Sequence, residues 1–234
     1  MTRLVDARWP DVEVAGRQVL IVRMGALEQH GPHLPLDCDA FIAAAVAERV
    51  HNRRPDAGLA PVLPIGASGE HASFPGTLSI GTQALRLVVV ELVRHAAAHW
   101  AAVLVLNGHG GNRDALGEAA DLCRYEGRHL EILHLGTAGM DAHAGRAETS
   151  MMLHLAPERV RVDLAEPGVT DPVATLLPTL VRRGVRAVSP NGVLGDPLGA
   201  SAAEGARLVE GLVTAAVGAY DHCRAAVSGD EPSG

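Results

Sequence analysis

Residues 18–51 read QVLIVRMGALEQHGPHLPLDCDAFIAAAVAERVH, and a change of period within them decides the fold. From Gln18 to Met24 the chain is a nearly unbroken apolar run rich in β-branched residues, as expected of a strand covered on both faces. A polar loop containing Pro32 and Pro35 follows. From about Ala40 to His51 the apolar residues return at helical spacing. The same order of strand, loop and helix recurs downstream. Strands are expected at Ala60 to Ile65, Ala102 to Leu106 and His129 to Leu135, and helices at about Gln83 to Trp100, Arg113 to Glu126 and Ala147 to Leu155. Strands alternating with crossover helices imply a parallel α/β sheet. Beyond Leu155 the chain reads as helices at Val173 to Arg183 and Ala200 to Arg224, punctuated by Pro167, Pro172, Pro178, Pro190 and Pro197. We read residues 1–226 as one domain and 227–234 as a flexible tail.

Composition bounds the chemistry. The 234 residues are 47% hydrophobic, ample for a sizeable core. All 20 basic residues are arginine, which excludes lysine Schiff bases, a pyridoxal-phosphate anchor and a Walker-A phosphate loop. A net charge of −7 without any arginine run argues against a nucleic-acid partner. Cys38, Cys123 and Cys223 lie far apart, so neither a disulfide framework nor a thiolate zinc site is suggested. No apolar stretch approaches the ~18 residues of a membrane span and the start lacks a signal-peptide core, so a cytoplasmic protein without a membrane partner is expected. Twelve histidines stand against two Trp, two Tyr and two Phe.

The unusual polar residues follow the expected strands, in GALEQHGPHLPLDCD, GASGEHASFPGT, NGHGGN and MDAHAGRAETS. In an open parallel sheet these loops meet at the carboxyl edge, where ligands bind. They carry Glu28, His30, His33 and Asp39, then His71, then His109, then Asp141, His143 and Glu148. Glu28 and His30 point to one side of an extended segment, and Asp39 at a helix start could bridge two ions. Mixed carboxylate and imidazole ligands suit Zn, Mn or Fe(II). Two close ions hold a hydroxide at neutral pH and polarise a carbonyl, as amide hydrolysis requires.

GALEQHGPHLPLDCDA, FPGT, NGHGGN and DAHAGRAETSMMLH together resemble the creatininase family of metal-dependent amidohydrolases. The resemblance implies a three-layer αβα sandwich with a mostly parallel central sheet. It also implies two divalent transition metal ions per subunit (Zn, Fe or Mn) and a homo-oligomer of hexamer-like form. Glu28, His30, Asp39 and His109 match the family's metal ligands, with Asp39 the bridging one. Gly111 stands where creatininases carry a ligating glutamate, and Glu148 matches the residue that relatives with NGHGGN use instead. His143 matches the catalytic histidine, with Glu148 also a candidate for proton transfer, and His33 and His71 are expected to bind substrate or orient ligands. No tryptophan follows Trp100, so the aromatic lid of creatininases is missing.

The segments GASGEHASFPGTLSIG, RYEGR and AVSPNGVLGDPLGASAAEG resemble the mycofactocin-system branch of the family. For that branch the implied activity is peptidase, releasing a C-terminal dipeptide derived from Val-Tyr from a modified precursor peptide. Hydrolysis of a small cyclic amide or formamide is the alternative within the same chemistry. A nucleotide-binding module is the non-enzymatic alternative, but NGHGGN departs from GxGxxG because Arg113 holds the last position. Ser68 is no nucleophile elbow, since Glu70 replaces the final glycine of GxSxG. His95 and His99 share a helical spacing without an HExxH glutamate and are read as surface residues, and Cys38 as a packed thiol.

Overall fold

The computed structural model describes residues 3–15, 18–136 and 139–228. Four parallel strands, β1 (Val19–Met24), β2 (Gly58–Leu59), β3 (Ala102–Asn107) and β4 (Leu130–His134), lie in the order β2-β1-β3-β4. β1 and β3 pair along their whole length, from Val19 opposite Ala102 to Met24 opposite Asn107. Each of these two central strands is covered on both faces, and their side chains alternate between two cores. Val19, Ile21, Leu104 and Leu106 pack on one side with α2 (Cys38–Arg53), α5 (Arg146–Leu155) and α7 (Ala202–Ser228). Leu20, Val22, Val103 and Val105 pack on the other with α3 (Gly81–Ala96) and α4 (Arg113–Tyr125). At about 1.5–3 kcal/mol for each buried aliphatic side chain, these layers supply the main stabilisation. The result is the parallel α/β sheet expected from the alternating periods, layered between helices as the family resemblance implies.

Several boundaries differ from expectation. The run Ala60 to Ile65 is not the second strand; β2 comprises only Gly58–Leu59. Pro61 and Pro64 have no N–H for a ladder, which suits an edge. Pairing continues past β2 through single bonds, Ala60 N–H to the Ile21 carbonyl and Leu63 N–H to that of Arg23, both 2.9 Å. The helix expected to run to Trp100 stops at Ala96, because the chain must turn there to bury Trp100, 6% exposed, in the core before entering β3. His99 is therefore not on that helix, and both His95 and His99 are exposed. A short helix, α1 (Trp9–Ala15), was not anticipated. Val227 and Ser228 continue α7 instead of starting a tail, and residues 229–234 lie outside the described residues. Helix α6 (Val173–Arg183) lies where expected, held by a small cluster of Leu180, Val185 and Leu194. No described helix is long and apolar enough to cross a membrane.

Candidate metal centre

The polar loops converge at the carboxyl edge of the sheet. Glu28 and His30 follow β1, Asp39 opens α2, and His71 ends the single 3-10 turn Gly69–His71. His109 follows β3, while His143 and Glu148 flank the start of α5. Two glycines make the convergence possible. A Cβ on Gly25 would lie 2.3 Å from Ala40 N, and one on Gly108 would lie 2.6 Å from the Asp39 carbonyl oxygen. Only bare backbone at the ends of β1 and β3 lets the first turn of α2 carry Asp39 between them.

Asp39 is the centre of the constellation. One of its oxygens lies 3.1 Å from His30 Nε2 and the other 3.1 Å from His109 Nδ1. Glu28 Oε2 is 3.3 Å from His109 Nε2, and Glu28 Oε1 is 3.3 Å from His71 Nε2 and 3.7 Å from His143 Nδ1. Glu148 Oε2 reaches within 4.0 Å of His30 Nε2 and accepts a hydrogen bond of 2.6 Å from Ala144 N–H. Three groups of potential ligand atoms lie close together, Glu28 with Asp39 and His109, His30 with His143 and Glu148, and Glu28 with His71 and His143.

The hydrogen bonds assign the imidazole tautomers. Gly31 N–H donates to Gln29 Oε1, which fixes the amide so that Nε2 is its donor end. That Nε2 faces the Gly192 carbonyl at 3.0 Å and His71 Nδ1 at 2.9 Å. His71 therefore accepts at Nδ1 and, when neutral, carries its proton on Nε2, toward Glu28. It orients that carboxylate and has no lone pair left to give a cation. His143 Nε2 donates to the Gln29 carbonyl at 2.8 Å, His30 Nδ1 to the Glu28 carbonyl at 3.1 Å, and His109 Nε2 to the Ala67 carbonyl at 3.0 Å. Each of these three turns its other nitrogen toward the cluster. A backbone carbonyl on the far nitrogen is the usual way a ligating imidazole is held.

Protonation follows the same geometry. Burial works against the charged form of His30, but Asp39, Glu148 and Glu28 outweigh it and raise its pKa to about 10. Burial likewise opposes charge on His109, yet Glu28 and Asp39 hold it well above its usual value. For Asp39 the two imidazoles overcome burial and keep the carboxyl well below the carboxylate range. Burial pushes Glu148 up to about 7, and lowers His71 and His143 to about 3 each. Cationic imidazoles thus hold positive charge between the carboxylates.

The donor set fits divalent cations. Both oxygens of Glu28, itself 0% exposed, and one of Asp39 are buried without a hydrogen-bond partner. The neighbouring imidazolium groups balance their charge in the metal-free protein without hydrogen-bonding these oxygens, and a cation between the carboxylates would take over that role. Oxygen and nitrogen ligands without sulfur suit Zn, Mn or Fe(II). Cys38 is buried with its thiol pKa pushed up by burial, so it is inert as a nucleophile.

Glu28, Asp39, His71, His109, His143 and Glu148 all line one cavity of about 1070 Å³. His30 sits behind them, fully buried. His33 is not brought to the cavity wall; its Nε2 pairs with Thr149 Oγ1 at 2.8 Å beneath α5. Asp37 pairs with Arg159 at 2.6 Å, away from the cluster. Sequence reasoning missed Gln29, since strict alternation would turn it away from Glu28 and His30. It also missed Glu70, whose Oε1 lies 3.6 Å from His109 Nε2 and 2.4 Å from where a Cβ on Gly111 would sit. The cue available was its place beside His71 in a strand-end loop. The C-terminal extension was not foreseen in the site either. Leu194 pairs with the backbone of His143, and Gly192 holds the Gln29 amide.

Known proteins of similar sequence and fold can be named. The family model described as creatinine amidohydrolase (creatininase) matches residues 5–220. The chain is 49% identical over 218 residues to the mycofactocin precursor peptide peptidase of Mycobacterium ulcerans (strain Agy99), covering 89% of this chain and 84% of the relative. It is 33% identical over 206 residues to the creatinine amidohydrolase of Pseudomonas putida, covering 74% and 78%. Among solved structures it resembles a manganese form of creatininase, with a TM-score of 0.82 and 29% identity over 94% of this chain and 98% of the other. A variant creatininase of Zn-Zn type gives 0.79 and 27% over 96% and 99%. A family match over almost all of the described chain, with the same fold, means that the chain belongs to the creatininase family.

Proposed function

We propose that this chain is a metal-dependent peptidase that releases a C-terminal dipeptide, derived from Val-Tyr, from a modified precursor peptide. The amidohydrolase chemistry is that of the family, and the peptidase reading is supported by 49% identity to a relative named for that activity. The observation that carries the reading is Asp39, whose two oxygens face two different imidazoles inside a cluster of buried carboxylate oxygens of which three accept no hydrogen bond. Glu28, Asp39 and His109 would hold one divalent ion, and His30, Asp39 and Glu148 a second. Bound there, the ions supply a nucleophile at neutral pH and polarise the scissile carbonyl.

The residues of the chain do the rest. His143 presents Nδ1 to the cavity because Nε2 is tied to the Gln29 carbonyl, and burial keeps the ring neutral. It is the base that accepts a proton from water and passes it to the leaving amine. Ala144 N–H anchors one oxygen of Glu148 and sets the direction of the carboxylate. His71, held by Gln29, orients Glu28. A cavity of about 1070 Å³ without a tryptophan in its wall accommodates the end of a peptide more readily than it encloses a small flat amide. In solution the site is served by a cytoplasmic homo-oligomer.

The test is to load the metal-stripped protein with Zn, Mn or Fe(II), count bound ions, and follow the mass of a modified precursor peptide. Loss of the dipeptide mass in proportion to metal occupancy is expected. Cleavage of creatinine or of formamides, with the peptide left intact, would replace the peptidase reading by the small-amide one.

A further inference from the structure

The two asparagines of NGHGGN, Asn107 and Asn112, are buried and do not line the cavity. Backbone groups fix the direction of the hydrogen bonds they make. Ala67 N–H donates to Asn112 Oδ1 at 2.8 Å, so Nδ2 is the donor end of that amide. Its two protons go to the Gly25 carbonyl at 3.1 Å and to Asn107 Oδ1 at 2.9 Å. Asn107 must then donate through Nδ2, to the His109 carbonyl at 2.6 Å and to His134 Nδ1 at 3.0 Å.

The partners of Asn112 belong to the three segments that carry the cluster. Gly25 follows β1 and leads to Glu28, Ala67 leads to His71, and Asn107 ends β3 just before His109. Ala67 is held from both sides, its N–H by Asn112 and its carbonyl by His109 Nε2 at 3.0 Å. A single residue therefore stands between the amide of Asn112 and the imidazole of His109. The fit is close, since a Cβ on Gly66 would lie 2.4 Å from Asn112 Oδ1 and 2.7 Å from the Gly25 carbonyl oxygen.

We propose that Asn112 is a positioning residue of the metal centre: through Ala67 and Gly25 it fixes where His109 stands relative to Glu28, so that both reach one cation. The inference rests on the reading of the cluster as a metal centre. Sheet hydrogen bonds align β1 and β3 only as far as Met24 and Asn107, and the ligands lie beyond those ends. One buried amide that ties all three segments sets the spacing the sheet no longer sets. Asn112 acts only through other residues, because His109 and Glu28 are not among its hydrogen-bond partners.

The test compares two variants with the wild type by calorimetric titration of metal-stripped protein with Zn. Asn112→Asp keeps the shape of the side chain but sets an oxygen against two acceptors, the Gly25 carbonyl and Asn107 Oδ1. Val93→Ala opens a cavity in the core beneath α3 and lowers stability without touching the amide. Asn112→Asp is expected to bind Zn about 10–100-fold more weakly than the wild type, and Val93→Ala as tightly as the wild type. Wild-type affinity in Asn112→Asp overturns the proposal. An equal loss in Val93→Ala also overturns it, since the effect would then be one of general stability. A measurement on the wild type needs no variant to fold. The side-chain amide protons of Asn112, both donated to buried acceptors, should exchange with solvent far more slowly than those of the exposed Asn52, and equal exchange overturns the proposal. If the wild type binds no Zn while that slow exchange is present, the metal reading fails and the positioning role falls with it.

Discussion

The side-chain amide of Gln29 donates to Nδ1 of His71 across 2.9 Å and so determines which nitrogen of that ring carries the proton. His71 then supports Glu28 instead of competing with it for a cation. Gln29→Leu keeps the bulk but not the amide. The variant should bind metal about 10–100-fold more weakly, the usual loss when a group orienting a ligand is removed. Calorimetric titration of metal-stripped protein measures this, and wild-type affinity in the variant would show that His71 needs no such restraint.

Asp39→Asn tests the shared carboxylate. One of its two oxygens becomes a donor, which suits neither of the imidazoles when they ligate a cation. Metal content should fall from two ions to one or none, and peptide cleavage with it. If Asp39→Ala kept both metal occupancy and full cleavage, the dinuclear reading would be wrong.

His143 and Glu148 should separate in their effects. His143→Gln is expected to lower kcat by about 10²–10⁴-fold, the range for loss of a positioned acid–base group, while the protein keeps most of its metal. Glu148→Gln should lose metal along with activity. Metal analysis of the two variants beside their rates checks the assignment, and the reverse pattern would exchange the two roles.

Metal ions held as proposed would compete with protons for one site, so stability should respond to pH in opposite directions in the two forms. The folded-state pKa of His30 is raised from 6.5 to about 10, so its contribution in the metal-free protein is complete below pH 6.5 and lost as pH rises through 10. Glu148, raised from 4.5 to about 7, acts in the same direction between those values. Asp39, depressed below 3.8, contributes above that pH and fails only in stronger acid. Below pH 6.5 His71 and His143, lowered to about 3, act the other way, so the metal-stripped protein should melt at falling temperature only as pH rises from 6.5 to 10. Over the same range metal affinity should rise, with proton release on binding. Parallel melting curves for the two forms would contradict this account.

Gly25→Ala tests how Asp39 is positioned. The added Cβ would stand 2.3 Å from Ala40 N, so α2 must move. A stability loss of about 1–3 kcal/mol in denaturant is expected, as for overpacking elsewhere, together with weakened metal binding. Wild-type stability would mean that the close approach of α2 is not required.

Much of this protein was legible in its sequence, because period and residue type are local properties. The apolar runs at β1, β3 and β4 fixed a parallel sheet covered on both faces, and Glu28, His30, Asp39, His71, His109, His143 and Glu148 were recognisable as ligand chemistry in strand-end loops. Local pattern failed where backbone hydrogen bonding or core burial overrode it. Pro61 and Pro64 reduced the second strand to an irregular edge, and the burial of Trp100 ended α3 early.

Only the tertiary structure decided how the candidate ligand residues divide. His33 and His71 look alike in sequence, yet one is bonded to Thr149 beneath α5 and the other to Gln29 beside Glu28. The two oxygens of Asp39 are equivalent until the fold sets a different histidine against each. Leu194 and Gly192 belong to a segment distant in the chain, and no periodicity could place them at this edge. The sequence by itself determined which chemical groups were available and on which elements they lay. Their partners, tautomers and charges were decided by packing, because each depends on atoms brought within about 3 Å across the sheet edge by the whole fold.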